Sequence, residues 1–284
     1  MSGDKIGIIQ TRWLGDNIIA LPIARWYAER GNDVYWPIDS RWVDAFSYAE
    51  PHVNFIGLDH PNPAINPSEV PISFLWNRPI EAVRARGCEK LLPLYANVIQ
   101  NEHLLGLEPW VKFDEYKYAV AAVPFREKWN LQIRRDHQRE HELRQSLGLH
   151  GDDRDLPYAI AHLKSTGLRV PLHVASHFAG ELRVIEIDER TTNPFDWLGV
   201  IEGATKVLCV DSAYCNLIEQ LNMGGDDKVL FLRSDIQYTP VLKNGWQFAW
   251  LKKPDRVLDQ RVYNLAEMER NGAKPKQTVG YVSR

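Results

Sequence analysis

The chain begins with an apolar run that meets a Gly-Asp pair and continues at once into an amphipathic segment. Lys5 to Thr11 has the pattern of a buried strand, and Asn17 to Arg30 has that of a helix. A tight turn that contains Asp16 joins the two. Sheets of α/β proteins bind ligands at the carboxyl ends of their strands, so we expect this turn to line a cleft. The opening therefore favours an α/β fold whose functional edge lies near Asp16.

Asp16 falls in the first turn of the predicted helix, where the helix dipole favours an ionised carboxylate. A carboxylate in a cleft is a candidate general base. An aspartate that only caps a helix explains the same pattern, and it is the simpler interpretation when the turn is taken alone.

Length, charge and cysteine content exclude several classes of protein. The chain has 284 residues, enough for one large domain or two of ordinary size, and its net charge of -3 gives no global attraction to nucleic acid or anionic membranes. Three scattered cysteines (Cys88, Cys209 and Cys215) do not form a disulfide framework or a zinc motif. No apolar stretch approaches the roughly 20 residues of a membrane span, and no signal-peptide pattern opens the chain. We expect a cytoplasmic protein without a transmembrane segment or a bound metal.

Strand and helix signals alternate along the first half of the chain, which favours a parallel, Rossmann-like sheet. After the opening unit come a strand (Asp33 to Ile38), a helix that starts at Ser40, a strand (Asn54 to Leu58), a proline-rich loop over 60–72, a helix (Glu89 to Leu105), a strand (Tyr116 to Val123) and a charged helix that ends at Gly148.

A polar, turn-rich segment from His150 to Pro157 marks the predicted domain boundary, with one domain over residues 1–152 and another over 153–284. The same alternation then resumes. The predicted strands are Tyr158 to Leu163, Leu182 to Ile187, Lys206 to Val210 and Val229 to Leu232; the predicted helices open at Asn193 and after Asp211-Ser212, and a last one covers Arg256 to Arg270. The sequence thus predicts two Rossmann-like domains that face a cleft.

A second motif follows the strand that ends at Val210. Asp211-Ser212-Ala213 stands directly before a predicted helix, so free backbone N–H groups and the helix dipole can hold a phosphate there. When the motif is taken alone, plain helix capping by Asp211 or Ser212 is the favoured interpretation.

Together the two motifs resemble the GT-B glycosyltransferases, and most closely the heptosyltransferases that build lipopolysaccharide cores. The family's first turn, Ser-Leu-Gly-Asp-Val-(apolar)-x-x-(Leu)-Pro, is similar to the stretch from Leu14 to Pro22. Its second motif, Asp-(Ser/Thr)-Gly-x-x-His, is similar to Asp211 to Asn216. The departures are Arg12 and Trp13 before Leu-Gly-Asp, Ala213 in place of the glycine and Asn216 in place of the histidine.

The resemblance implies an inverting, metal-independent transfer from a nucleotide sugar, which is a co-substrate rather than a bound cofactor, to an acceptor hydroxyl. It implies Asp16 as the general base. It places the donor at one group of residues (Lys164, Ser165, Thr166, Asp211, Ser212 and Ala213) and the acceptor, by default a saccharide of the cell envelope, at another (Arg12, Trp13 and Asn17). An exposed surface role explains Lys164 equally well.

Three alternatives use the same residues differently. A glycosyltransferase that acts on hydroxymethylated pyrimidines in DNA would hold phosphates with Arg12, Arg134 and Arg135 and stack a base on a tryptophan. A dehydrogenase needs a GxGxxG turn, which the segment from Thr11 to Asn17 lacks. A non-catalytic nucleotide-binding protein fits the altered positions Ala213 and Asn216, although it has no need of Asp16.

Overall fold

The computed structural model describes residues 3–60, 73–95, 112–150, 156–165, 168–232, 240–250 and 279–281. The chain divides into two compact units, residues 1–134 (unit 1) and 135–284 (unit 2). The division falls earlier than the predicted boundary at residue 152. Several predicted features lie outside the described residues: Thr166, most of the proline-rich loop, residues 96–105 of the helix predicted from Glu89 to Leu105, and the helix predicted from Arg256 to Arg270.

Unit 1 contains a four-stranded parallel sheet in the order β3-β2-β1-β4. Its strands are β1 (Lys5–Ile9), β2 (Asp33–Asp39), β3 (Asn54–Leu58) and β4 (Lys90–Pro93). The side chains of β1 from Ile6 onward are buried, as the apolar run predicts. The first three strands match their predicted positions within a residue or two.

The helices of unit 1 pack against this sheet and against one another. They are α1 (Leu14–Ala28), α2 (Val43–Ala49), α3 (Arg78–Arg84) and α4 (Phe113–Val120), with a π-helical turn over Ser73–Asn77 and 3₁₀ turns over Ser40–Trp42 and Phe125–Asn130. Gly7 lets α3 approach β1 closely, since a Cβ there would lie 2.7 Å from Val83 Cγ2.

Two predicted elements of unit 1 were wrong. The segment from Tyr116 to Val123 is not a strand, because most of it belongs to α4, which packs beside α1. The segment that begins at Glu89 does not start a helix, because Lys90–Pro93 joins the sheet beside β1. Tyr116 to Val123 and the described start of the second segment are short apolar runs, for which tertiary context decides between strand and helix.

Unit 2 contains a six-stranded parallel sheet in the order β12-β11-β10-β9-β5-β8 and a small antiparallel hairpin. The sheet strands are β5 (Tyr158–His162), β8 (Arg183–Glu186), β9 (Lys206–Val210), β10 (Asp227–Leu232), β11 (Trp246–Trp250) and β12 (Val279–Tyr281); the hairpin consists of β6 (Lys164–Ser165) and β7 (Leu168–Arg169). The strands predicted at β5, β8, β9 and β10 are confirmed within a few residues.

The helices of unit 2 are α5 (His137–Ser146), α6 (Leu172–Ala179), α7 (Leu198–Glu202) and α8 (Ala213–Leu221), with a 3₁₀ turn over Pro194–Trp197. Ion pairs fasten α5 and the segment before it to this unit. Arg139 forms a two-pronged pair with buried Asp196, at 2.9 and 2.7 Å, and Arg135 contacts both Glu140 and Glu202. The charged helix therefore belongs with the second unit, not with the first.

In each sheet, successive strands are added on one side of the first strand and then on the other side. In unit 1 the chain adds β2 and β3 on one side of β1 and then β4 on the other. In unit 2 it adds β8 on one side of β5 and then β9 on the other. Open α/β sheets bind ligands outside the carboxyl ends of the strands at such switch points. The topology therefore directs attention to the ends of β1 and β4 and to those of β5 and β9.

Candidate functional site

At the switch point of unit 1, a buried tyrosine joins the chain after β4 to the turn after β1. The hydroxyl oxygen of Tyr95 accepts hydrogen bonds from the backbone N–H groups of Thr11 (2.6 Å) and Arg12 (2.8 Å) and also contacts the Thr11 hydroxyl. Burial raises the pKa of Tyr95, which remains protonated. The turn that leads to α1 is therefore held from the neighbouring strand.

Asp16 lies in the first turn of α1, as predicted, directly after the turn that Tyr95 holds. Its carboxylate is partly exposed, with 26% of the side-chain surface accessible, and its Oδ1 lies 2.8 Å from Lys117 Nζ. The second oxygen, Oδ2, accepts no hydrogen bond from the described residues. One oxygen of Asp16 is thus held by the protein, and the other is open to a ligand.

Lys117 comes from α4 and is 1% exposed. Besides Asp16, its ammonium donates to Gln10 Oε1 at 2.7 Å and to the Leu94 carbonyl at 2.8 Å. Gln10 in turn donates through Nε2 to the Arg12 carbonyl. The ends of β1 and β4, the following turn and the start of α1 are therefore joined through one cation.

The other residues of the first turn are more enclosed than their predicted role in acceptor binding implies. Arg12 is 9% exposed, and its Nη1 lies 2.6 Å from His60 Nε2. Because a guanidinium only donates, His60 accepts through Nε2. Arg12 Nε also lies 3.8 Å from Asp39 Oδ2. Burial lowers the pKa of Arg12, and the Asp39 charge opposes that effect.

Asp39 ends β2 and is the carboxylate that both Arg12 and Arg41 contact. Arg41 donates to both of its oxygens, at 2.9 and 2.7 Å. Burial alone would raise the pKa of Asp39, but the hydrogen bonds from Arg41 outweigh it and hold the pKa below its ordinary value. The cluster therefore contains two guanidiniums and one carboxylate, and Arg12 is enclosed within it.

Trp13 and Asn17 lie on either side of Asp16 in the sequence. Trp13 is half-buried and meets Tyr95 edge to face, with ring centroids 6.4 Å apart. Asn17 has no exposed surface, and its side-chain Oδ1 and Nδ2 have no hydrogen-bond partner among the described residues. A buried amide without partners costs about 1–3 kcal/mol for each group, which makes Asn17 an unexplained polar feature of α1.

At the switch point of unit 2, the ends of β5 and β9 are joined by side chains. His162 pairs with Cys209 in the strand register, and its Nδ1 lies 2.8 Å from Ser212 Oγ. Ser212 caps α8 by accepting from the Cys215 N–H at 3.4 Å. Since that oxygen accepts from the backbone, its proton can go to His162 Nδ1, which leaves the imidazole proton on Nε2. No described residue accepts from Nε2.

The imidazole of His162 is neutral at physiological pH. Burial lowers its pKa to about 4, with a smaller contribution from the positive charge of Lys164. Its ring also packs at 4.8 Å between centroids against Tyr214 in the first turn of α8. His162 therefore offers a neutral N–H donor beside the helix terminus.

The remaining predicted donor residues lie around this pair. Asp211 and Ala213 are half-buried on either side of the Ser212 cap. Lys164 is 69% exposed, and its Nζ lies 3.6 Å from the exposed Glu189. Arg169, an exposed residue that the motifs did not single out, stands opposite Lys164 in the β6–β7 hairpin. The hairpin thus carries two cations just beyond the end of β5.

Asn216 stands where the family motif has a histidine. Its Nδ2 donates to the Ser212 carbonyl at 3.0 Å, while its buried Oδ1 has no partner among the described residues. The Asn216 side chain therefore stabilises the first turn of α8, because its Nδ2 donates to the carbonyl of the N-cap residue Ser212.

Sequence reasoning missed Lys117, His162 and Arg169. Lys117 was assigned to a strand, so nothing aligned it with Asp16. His162 carried a usable signal, since it is the polar end of an apolar strand (Tyr158–His162) next to a cationic segment.

The arginines required for a DNA acceptor are occupied. Arg12 is enclosed with Asp39 and His60, and Arg135 contacts Glu140 at 2.5 Å and Glu202 at 2.8 Å. Arg134 lies over the Tyr48 ring at 4.0 Å. These contacts give no support to phosphate binding by this set. In the described part of the chain, no group of three or more His, Cys, Asp or Glu residues has the arrangement of a metal site, and no helix there is long and apolar enough to cross a membrane.

Comparison with solved structures places the fold among glycosyltransferases. A glycosyl transferase family 9 protein from Veillonella parvula DSM 2008 aligns with a TM-score of 0.61 and 13% identity, over 96% of this chain and 92% of that chain. ADP-heptose LPS heptosyltransferase II from E. coli gives a TM-score of 0.53 and 13% identity, over 94% of this chain and 98% of that one.

A third similar structure is an iron-containing dodecameric glycosyltransferase from enterotoxigenic E. coli H10407, with a TM-score of 0.54 and 13% identity, over 86% of this chain and 62% of that chain. No protein-family model and no curated protein sequence matches the chain. The predicted resemblance to heptosyltransferases is confirmed at the level of the fold: this α/β chain has the fold of the family 9 glycosyltransferases.

Proposed function

We propose that the protein is a glycosyltransferase that moves a sugar from a nucleotide sugar to an acceptor hydroxyl, with inversion and without a metal. The observation that carries the proposal is the position of Asp16 at the switch point of unit 1, with Oδ1 held and Oδ2 open. The likeness of fold to glycosyltransferases supports it.

The donor is assigned to unit 2. A nucleotide diphosphate carries its charge on oxygens that need fixed donors. The N-terminus of α8, the neutral Nε2–H of His162 and the cations of the β6–β7 hairpin provide such donors around the end of β5. These groups also balance the charge that develops on the departing diphosphate, which is the role that a metal ion fills in other enzymes.

The reaction is a single displacement. Asp16 Oδ2 accepts the proton of the acceptor hydroxyl as its oxygen bonds to the anomeric carbon. The bond between that carbon and the diphosphate oxygen breaks, and the electron pair leaves with the nucleotide diphosphate. One displacement inverts the configuration at the anomeric carbon, through an oxocarbenium-like transition state.

The acceptor is assigned to unit 1, where the half-buried Trp13 precedes α1, the helix whose first turn contains Asp16. A sugar ring packs its C–H face well on an aromatic side chain. We therefore propose a saccharide acceptor, with a saccharide of the cell envelope as the first class to test.

The first experiment measures thermal stability of the wild-type protein with a panel of nucleoside diphosphates and nucleotide sugars. A ligand at about 100 times its dissociation constant adds roughly 2.7 kcal/mol to the folded state. We expect one nucleotide to raise the melting temperature of both wild type and Asp16→Ala. If no nucleotide does so, the proposal fails in its donor-binding form. If one binds but the wild type turns over no sugar with any acceptor, a non-catalytic binding protein is the better account.

A further inference from the structure

We infer that Lys117 is a positioning residue for Asp16: it fixes Oδ1 so that Oδ2 faces the acceptor hydroxyl in one orientation. The inference rests on the proposed function, because it assigns Lys117 a part in the same proton transfer. Lys117 itself touches no substrate in this account, since it is 1% exposed and lies behind the carboxylate.

The surroundings of Lys117 require a charged ammonium. Its Nζ has three acceptors, Asp16 Oδ1, Gln10 Oε1 and the Leu94 carbonyl, at 2.8, 2.7 and 2.8 Å. An ammonium has three N–H donors and satisfies all three, whereas a neutral amine would satisfy only two. Burying such a charge is costly, and an apolar residue of similar volume fills the same space without that cost. Packing alone therefore does not account for a lysine here.

The geometry also shows what the cation controls. Asp16 is held from the closed side, so rotation of its carboxylate would break the contact with Lys117. Lys117 is fixed in turn by the ends of two strands, because Gln10 follows β1 and Leu94 follows β4. The position of Asp16 Oδ2 therefore depends on contacts with the sheet as well as on the first turn of α1. This matters because helix ends fray.

Correct placement of a general base matters because misplacement by about 1 Å can cost about 100-fold in rate. In the reaction, the acceptor O–H bond breaks, the proton bonds to Asp16 Oδ2, and Lys117 keeps all three of its protons. The lysine therefore acts through Asp16 alone, and its removal has no effect where Asp16 is already missing as a base.

The test compares Lys117→Met with the wild type in steady-state transfer. We expect kcat to fall about 10- to 100-fold while the KM for the nucleotide sugar, which unit 2 binds, stays within about twofold. Lys117→Arg restores part of kcat, because it returns a cationic donor. Lys90→Met is the matched control, since Lys90 is an exposed lysine at the amino end of β4, and it should keep the wild-type kcat.

A double variant separates positioning from general structural damage. In an Asp16→Asn background, Lys117→Met should lower kcat no further, because coupled groups are not additive. A Lys117→Met protein with wild-type kcat, or an equal loss in both backgrounds, overturns the inference while the proposed function stands.

A spectroscopic measurement decides the matter if Lys117→Met does not fold or if no transfer is found. In ¹⁵N NMR of the wild type, we expect a slowly exchanging ammonium signal from Lys117 that shifts in Asp16→Asn, whose side chain keeps the shape but loses the charge. Absence of that signal, or a signal that Asp16→Asn leaves unchanged, overturns the inference. Its presence without any sugar transfer leaves the pair established and sinks the proposed function instead.

Discussion

Acidification should destabilise the protein through one imidazole, that of His162. Its pKa in the folded chain is lowered from the ordinary 6.5 to about 4, chiefly because burial penalises the charged form. In the unfolded chain the ring regains its ordinary pKa. As pH falls, the unfolded state therefore binds this proton first, and stability is lost between about pH 6.5 and pH 4.

The size of the loss follows from the two pKa values. At pH 7.5 the ring is neutral in both states and contributes almost nothing. At pH 5 the unfolded ring is almost fully protonated while the folded ring is mostly neutral, which costs about 2 kcal/mol. Below both pKa values the cost levels off at about 3 kcal/mol.

Urea unfolding of the wild type and of His162→Gln at the two pH values measures this effect. The other titrating groups are common to both proteins, so they cancel in the difference between the two total free energies of unfolding. We expect that difference to move by about 2 kcal/mol in favour of the variant between pH 7.5 and pH 5. A difference that stays constant with pH, or an NMR titration of the His162 ring with a midpoint near 6.5, would show that burial does not lower the pKa of His162.

Three further substitutions test individual contacts. Ser212→Ala removes the α8 cap and the partner of His162, and should cost about 1 kcal/mol in urea unfolding and weaken nucleotide binding in calorimetry. Asn17→Leu replaces a buried amide without described partners by an apolar side chain of similar size and should raise the unfolding free energy by about 1–2 kcal/mol; a loss of stability would show that the amide is satisfied in solution. Lys128→Met removes the ammonium that lies 2.6 Å from the buried Asp114 Oδ2 and should cost about 3–5 kcal/mol. Lys128→Met combined with Asp114→Leu should recover most of that loss in the same assay.

Much of the fold followed from local pattern. β1 is an apolar run that is buried almost throughout, β9 matches its predicted bounds, and Ser212 caps α8 as its sequence position indicates. These elements have both a periodic signal and an end signal. The segment of α4 lacks such agreement, since its residues from Tyr116 onward have the composition of a strand, and only packing beside α1 makes it helical.

The candidate site was predictable only in part, because its contacts join residues that are distant in sequence. Asp16 could be singled out by the turn that contains it, but its partner Lys117 is about 100 residues away. His162 and Ser212 are 50 residues apart and meet because β5 and β9 are neighbours. Strand order decides such meetings, and the motifs alone do not specify it. The enclosure of Arg12 by Asp39 likewise depends on the pairing of β1 with β2.

We propose Asp16 as the base of a sugar transfer whose donor binds to unit 2. The most direct measurement follows transfer from the nucleotide sugar selected by thermal stability, in the wild type and in Asp16→Asn, with nucleotide affinity measured in parallel by calorimetry. We expect a kcat about 100- to 10,000-fold lower in the variant, an unchanged nucleotide affinity and an inverted product from the wild type. Equal turnover by the two proteins, or a product of retained configuration, would contradict it.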